Sequence, residues 1–186
     1  MIKGGRSDAE ALRDEIAGVL STMGLRLSPD KTLITHIDEG VDFLGWRIQR
    51  HRKKGTTRHF IYTYPAKKSL KAVMATVKRL CRQVEVSQPL DELIRRLNQA
   101  VRGWCAYFRP GVSSVTFAYL SHYLWQRVWR WMRRKHRRAT WKELRRRYCD
   151  GGWWPHGQRE LFDPEKLGTT RYRYRGSIIP SPWPVA

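Results

Sequence analysis

The side chains of this sequence that are equipped for chemistry are mostly cationic. Seven of the twelve residues from Arg127 to Arg138 are Arg or Lys: Arg127, Arg130, Arg133, Arg134, Lys135, Arg137 and Arg138. Trp129 and Trp131 lie between them. Arg95, Arg102 and Arg109 recur every seven residues, a spacing that keeps them on one helix face. Lys67, Lys71, Lys78 and Arg82 share a face in the same way, with Lys68 beside them. Guanidinium groups grip phosphate oxygens in bidentate pairs and stack on bases. A charge run is ordinarily a solvated helix face. Three successive segments with one bias and few acids to pair them favour a polyanion over solubility alone.

The other reactive residue types form no constellation. The three cysteines (Cys81, Cys105, Cys149) are odd in number and far apart, so neither a disulfide framework nor a zinc pair is predicted. Cys81 and Cys105 fall on apolar helix faces. His51 and His59 flank a hairpin loop, where solvation explains them better than a phosphate contact does. Asp38 and Glu39 precede a turn glycine, and no carboxylate cluster suited to two metal ions stands out. The expectation is no catalytic residue and no metal site.

The composition points the same way. Net charge is +21, with 26 Arg against 11 Lys. Residues 1–45 carry five basic and eight acidic side chains, and residues 46–186 carry 32 and eight, so the imbalance lies after Gly45. Such a field repels itself unless a polyanion binds it. Hydrophobic content of 41% with nine Trp, eight Tyr and five Phe permits a folded core and argues against a disordered tail. No apolar run spans a bilayer and no secretory h-region opens the chain, so no membrane partner and a reducing, cytoplasmic setting are expected.

The elements that must hold these residues follow from period and punctuation. Ser7-Asp8-Ala9-Glu10 fits a capping box, and Leu12, Ile16, Val19, Leu20 and Met23 follow at helical spacing, with Gly24 as terminator. Thr32–Ile37, Val41–Arg50 and Arg58–Tyr64 read as strands, and Lys53–Thr57 as a hairpin loop. Three helices come next, over about 66–85, 88–109 and 115–138. Their stripes are Leu70, Val73, Met74, Val77, Leu80 and Cys81; Leu90, Leu93, Ile94, Leu97, Val101, Trp104 and Phe108; and Leu120, Tyr123, Leu124, Val128 and Trp131. Trp104, Phe108 and Trp131 therefore read as core. Trp125 and Trp129 lie off the stripe, free to stack on bases or to cover a neighbouring helix. Thr140-Trp141-Lys142-Glu143 is a second capping box. From Cys149 onward glycine, proline and aromatics predict an irregular tail, with a short strand at Tyr172–Ile179.

Two groups of segments carry a family resemblance. Gly24-Leu25-Arg26-Leu27-Ser28-Pro29-Asp30-Lys31-Thr32 and Asp42-Phe43-Leu44-Gly45-Trp46 resemble the late palm motifs of reverse transcriptases. Pro65-Ala66-Lys67-Lys68-Ser69, Leu97-Asn98 and Arg102-Gly103-Trp104-Cys105-Ala106-Tyr107-Phe108 resemble the thumb, or maturase-specific domain, of group II intron proteins. The likeness covers roughly residues 1–150. It implies an α+β fold: an N-terminal helix and a small antiparallel sheet at the end of a palm (1–64), a three-helix thumb bundle (65–148) and a basic, aromatic tail (149–186). It implies that Phe43, Leu44, Gly45 and Trp46 act as a primer-grip-like hairpin and that the helical cations hold RNA. Family enzymes carry a Tyr-x-Asp-Asp loop just upstream of the helix that opens here. The expectation is thus a C-terminal fragment without its own polymerase site, needing Mg²⁺ only if joined to a catalytic palm. The favoured function is an RNA-binding maturase-type domain that assists intron folding and splicing or holds a template–primer duplex, alone or with a separately encoded catalytic half. The alternatives are part of a split or mis-started RNA-directed DNA polymerase, and a non-functional mobile-element remnant.

Overall fold

The computed structural model describes residues 5–149 and 160–170. In chain order the elements are α1 (Arg6–Thr22), β1 (Val41–Phe43), β2 (Trp46–Arg52), β3 (His59–Pro65), α2 (Lys67–Gln83), α3 (Leu90–Phe108), α4 (Ser114–Lys135), α5 (Trp141–Tyr148) and a 3₁₀ turn (Pro164–Lys166). The strands form one antiparallel sheet in the order β1-β2-β3. Helices and a small sheet make the α+β class expected. No helix among the described residues is long and apolar enough to cross a membrane.

The chain divides into two compact units. Among the described residues, one holds 5–41 with 49–60, and the other 42–48 with those from 61 on. In the first unit, α1 starts one residue earlier than its sequence suggests. The Gly5 N–H donates to the Asp8 carboxylate at 2.7 Å, while Glu10 instead accepts from Arg6. The Ser7–Glu10 box is therefore not used, because Asp8 already reaches the orphan N–H at the helix entrance. The other end is as expected. Gly24, at φ +72°, donates to Ser21 O and Leu25 donates to Leu20 O, a Schellman closure. The apolar stripe of α1 stays open: the helix has no buried residue, and Val19 and Met23 are exposed.

Thr32–Ile37 forms no strand. After the turn at Ser28–Lys31 the segment runs irregularly, and its end is held by one backbone bond, Arg50 N–H to Ile37 O at 3.0 Å, and by Asp38. The Asp38 carboxylate accepts two hydrogen bonds from Arg50, both at 2.6 Å, and its carbonyl accepts from Gln49 at 2.7 Å. The sheet gets its third strand in another way. The stretch expected as one strand, Val41–Arg50, breaks at Leu44-Gly45 into β1 and β2.

The second unit owns the core. Val73, Val77 and Cys81 of α2, seven residues of α3 from Leu90 to Phe108, and Phe117, Leu120, Leu124, Val128, Trp131 and Met132 of α4 are buried in one cluster. Leu144 and Tyr148 attach α5 to it. The apolar stripes read for α2, α3 and α4 face this cluster, as burial of a helix's apolar face requires. The Thr140 box forms as expected: Thr140 N–H donates to Glu143 at 2.8 Å and Glu143 N–H donates back to the Thr140 hydroxyl at 3.4 Å.

Candidate nucleic-acid interface

The helices sort the predicted cations into two kinds. Lys67, Lys68, Lys71, Lys78 and Arg82 on α2 are all exposed, as are Arg130 and Arg133 on α4 and Arg137 and Arg138 after it. These can reach a phosphate without first leaving a protein partner buried. The remaining predicted cations have partners within the protein, although Arg95, Arg102, Arg109 and Arg134 are exposed as well. Lys135 Nζ donates to the carbonyls of Val86 at 2.6 Å and Gln88 at 2.7 Å, closing the α2–α3 loop. Arg134 donates to Cys81 O at 2.7 Å, satisfying a carbonyl near the end of α2. The Arg127 guanidinium lies 4.8 Å over the Tyr123 ring, and its buried Nε has no hydrogen-bond partner.

The face marked by Arg95, Arg102 and Arg109 is likewise occupied. Arg95 forms a two-pronged pair with Glu92, both contacts 2.8 Å, and Arg96 donates to the same carboxylate at 2.6 Å. These guanidinium hydrogen bonds hold Glu92 at a pKa of about 2, well below the usual carboxylate range. Arg102 stacks 4.8 Å from the Phe162 ring centre, and Arg109 Nε donates to Gly168 O at 3.0 Å. Both partners belong to the segment 160–170, which lies across α3 and α4.

Sequence reasoning missed that segment. Asn98 holds it at both ends of its amide: Nδ2 donates to Glu160 O at 2.8 Å and Oδ1 accepts from Phe162 N–H at 2.7 Å. Ser121, buried on α4, donates to Asp163 at 2.5 Å, and Leu161 and Pro164 are buried. The one clue was Leu161 and Phe162 standing in an otherwise polar stretch. The expected strand at Tyr172–Ile179 lies outside the described residues. The exposed arginines Arg145, Arg146 and Arg147 of α5 were also overlooked, although three consecutive arginines after a capping box were visible.

The Phe43–Trp46 hairpin is built by the helices beneath it. Leu44 at φ +47° and Gly45 at φ +82° make a two-residue turn with both central residues left-handed. A leucine in that region costs roughly 1–2 kcal/mol. The turn is pinned by hydrogen bonds from Tyr107 Oη to Leu44 O and from Ala66 N to Gly45 O, both 2.8 Å. Glycine suits position 45 for its left-handed backbone and not for lack of space, since a Cβ there would meet the Phe108 ring at 3.4 Å, an ordinary contact. Trp46 turns inward against Phe108, with ring centres 4.6 Å apart, while Phe43 and Leu44 are left 60% and 70% exposed.

Burial pushes the Cys81 thiol up to about 11 despite Arg127 and Arg134 nearby, and Cys105 up to about 12, so both stay protonated and unreactive. His136 faces the Tyr148 hydroxyl at 3.1 Å, and burial, then the charges of Arg147 and Lys135, lower its pKa. Among the described residues no group of three His, Cys, Asp or Glu could hold a metal ion.

Against known proteins, residues 70–149, which run from the first turn of α2 through α5, match the family model described as group II intron, maturase-specific domain. Protein YkfC of Escherichia coli (strain K12) is 39% identical over 70 residues. That alignment covers 37% of this chain and 18% of YkfC, so the chain spans under a fifth of the length of the curated relative it matches.

Proposed function

We propose an RNA-binding function, from the premise that residues 70–149 are the maturase-specific domain of a group II intron protein. The observation that carries this reading is the charge of the last two helices. From Ser114 to Cys149 there are eleven basic residues and one acid, Glu143, and that acid is held at the Thr140 cap. Arg130, Arg133, Arg137, Arg138, Lys142, Arg145, Arg146 and Arg147 are exposed together at that end of the bundle. The field favours a polyanion, and the predominance of Arg favours phosphate and base over a plain anionic surface.

The bound RNA is structured intron RNA, and the consequence is assistance to its folding and splicing. Helical cations meet phosphates and the shape of an A-form helix, whose deep major groove offers side chains little to read. A second reading, support of a template–primer duplex, draws on the Phe43–Trp46 turn, whose exposed Phe43 and Leu44 are held out by Tyr107 and Phe108. Titrating labelled structured RNA with the purified chain at several salt concentrations tests the binding. With ~6–10 phosphate contacts, affinity should fall roughly 10³–10⁵-fold between about 50 and 200 mM salt. Affinity that stays flat over that range refutes the electrostatic basis.

A further inference from the structure

The aromatic residues between α4 and α5 are arranged differently from those of the core. Trp104 and Trp131 each place the indole N–H on a protein acceptor, Ser69 Oγ at 3.2 Å and Val84 O at 2.9 Å, and both serve the bundle. Trp125 and Trp129, partly buried against the core, lie parallel on α4, planes 4° apart and centres 5.6 Å apart. Trp129 meets Trp141 of α5 edge to face at 6.1 Å, and Arg145 lies 5.1 Å from the Trp141 ring centre. The three indoles and the guanidinium form a ladder of ring contacts that begins on core-packed Trp125 and Trp129 and ends at Trp141. Its outer indole, Trp141, is 43% exposed. Leu144 and Tyr148 supply the buried anchorage of α5, so the helix does not need an outward indole for its attachment.

The ladder is also set in positive charge. Lys142 follows Trp141, Arg137 and Arg138 precede it, and Arg145 lies one turn on, all exposed. A ligand suited to this spot is flat, aromatic and anionic on both sides. A nucleobase with its two flanking phosphates has that description. The base must be unpaired, because a duplex keeps both base faces stacked internally. An acidic protein segment would use the charge and leave the indole unused.

We propose that Trp141 is a stacking site for an unpaired nucleobase of single-stranded RNA, extending the Trp125–Trp129–Trp141 ladder. Lys142 and Arg145 hold the adjoining phosphates. This rests on the RNA-binding reading above and adds a site for single strands to it.

The test measures binding of the full chain to a labelled oligouridylate and to an RNA duplex of equal length, for wild type, Trp141→Ala and Trp141→Phe. Base–aromatic stacking is worth about 1–3 kcal/mol per base, so Trp141→Ala should weaken oligouridylate binding roughly 5–150-fold. Duplex binding should change less than about twofold, and the salt slope should hold because no phosphate contact is removed. Trp141→Phe keeps a ring and should fall between. It also serves if the alanine variant folds poorly, since quenching of tryptophan emission by oligouridylate should drop in the phenylalanine variant. Unchanged quenching there, or equal losses for oligouridylate and duplex, overturns the site. So does polyglutamate competing as well as oligouridylate against both wild type and Trp141→Ala, which would mark an acidic-partner surface. Wild type that binds the duplex and not oligouridylate refutes the stacking site alone, and wild type that binds neither refutes the RNA-binding reading with it.

Discussion

Gly111 sits where the α3–α4 corner passes over Trp46, and replacing it with alanine should test how firmly the hairpin is docked. A Cβ at Gly111 would lie 2.2 Å from Trp46 Cζ3, 2.9 Å from Cη2 and 2.8 Å from Thr63 O. Carbon atoms pack at ~3.5–4.0 Å, so the indole must retreat by more than an ångström or the corner must lift. Retreat is opposed by the Phe108 ring, 4.6 Å away, and lifting by the hydrogen bond from Val112 N to Thr63 O at 2.8 Å. Overpacking of this kind costs roughly 1–3 kcal/mol, and a weakened backbone bond adds about 0.5–1.5. The unfolded chain, restricted by alanine, gives back about 0.4–1 kcal/mol. The net is a destabilisation of about 1–4 kcal/mol, read by urea denaturation followed by far-ultraviolet circular dichroism. Trp46→Leu removes the clashing ring atoms, so Gly111→Ala should cost at least ~1 kcal/mol less in that background. Simple additivity of the two substitutions would show that Trp46 is not what excludes a side chain at 111, and the docking argument would fail.

Lys135→Met should lower stability by about 1–3 kcal/mol, because charged hydrogen bonds to loop carbonyls are lost, whereas Arg133→Gln should leave melting unchanged and weaken RNA binding. Equal melting of the two variants would contradict the division between engaged and exposed cations. Changing Arg95, Arg102 and Arg109 together to Gln should speed proteolytic cleavage near Glu160–Thr170, since two of the three hold that segment. An unchanged cleavage pattern would show the segment is held without them. Glu92, whose folded pKa is lowered from 4.5 to about 2 by Arg95 and Arg96, contributes stability that is complete above its unfolded value and is lost as pH falls through that window. Glu92→Gln should therefore flatten the acid limb of a stability–pH curve between those values, and a parallel curve would refute the pairing.

What the sequence determined by itself is what short-range physics controls. Gly24 ends α1 and Glu143 caps Thr140 through hydrogen bonds between residues three to five apart, and such contacts are written in adjacent letters. The stripes Val73–Val77–Cys81, Leu90–Phe108 and Leu120–Trp131 face the core because a helix repeats every 3.6 residues whatever it packs against. The charge excess after Gly45 needed only a count. The tertiary structure decided which of those charges are available. Lys135 reaches carbonyls 47 and 49 residues away, and Arg134 one 53 away, partners no local pattern announces. The same is true of the break at Leu44-Gly45. Val41–Arg50 has the period of one strand, and it turns because Tyr107 and Phe108, brought near by the packing of α3, hold a leucine in a left-handed conformation it would not adopt alone. Asn98 was legible as part of a motif, but its task became visible only once the chain had returned 62 residues later to lay Glu160 and Phe162 on its amide. Trp125 and Trp129 could be placed off the apolar stripe from spacing alone. The contact of Trp129 with Trp141 required α5 to dock beside it, a matter of which buried side chains α5 offers the core and not of the indoles themselves.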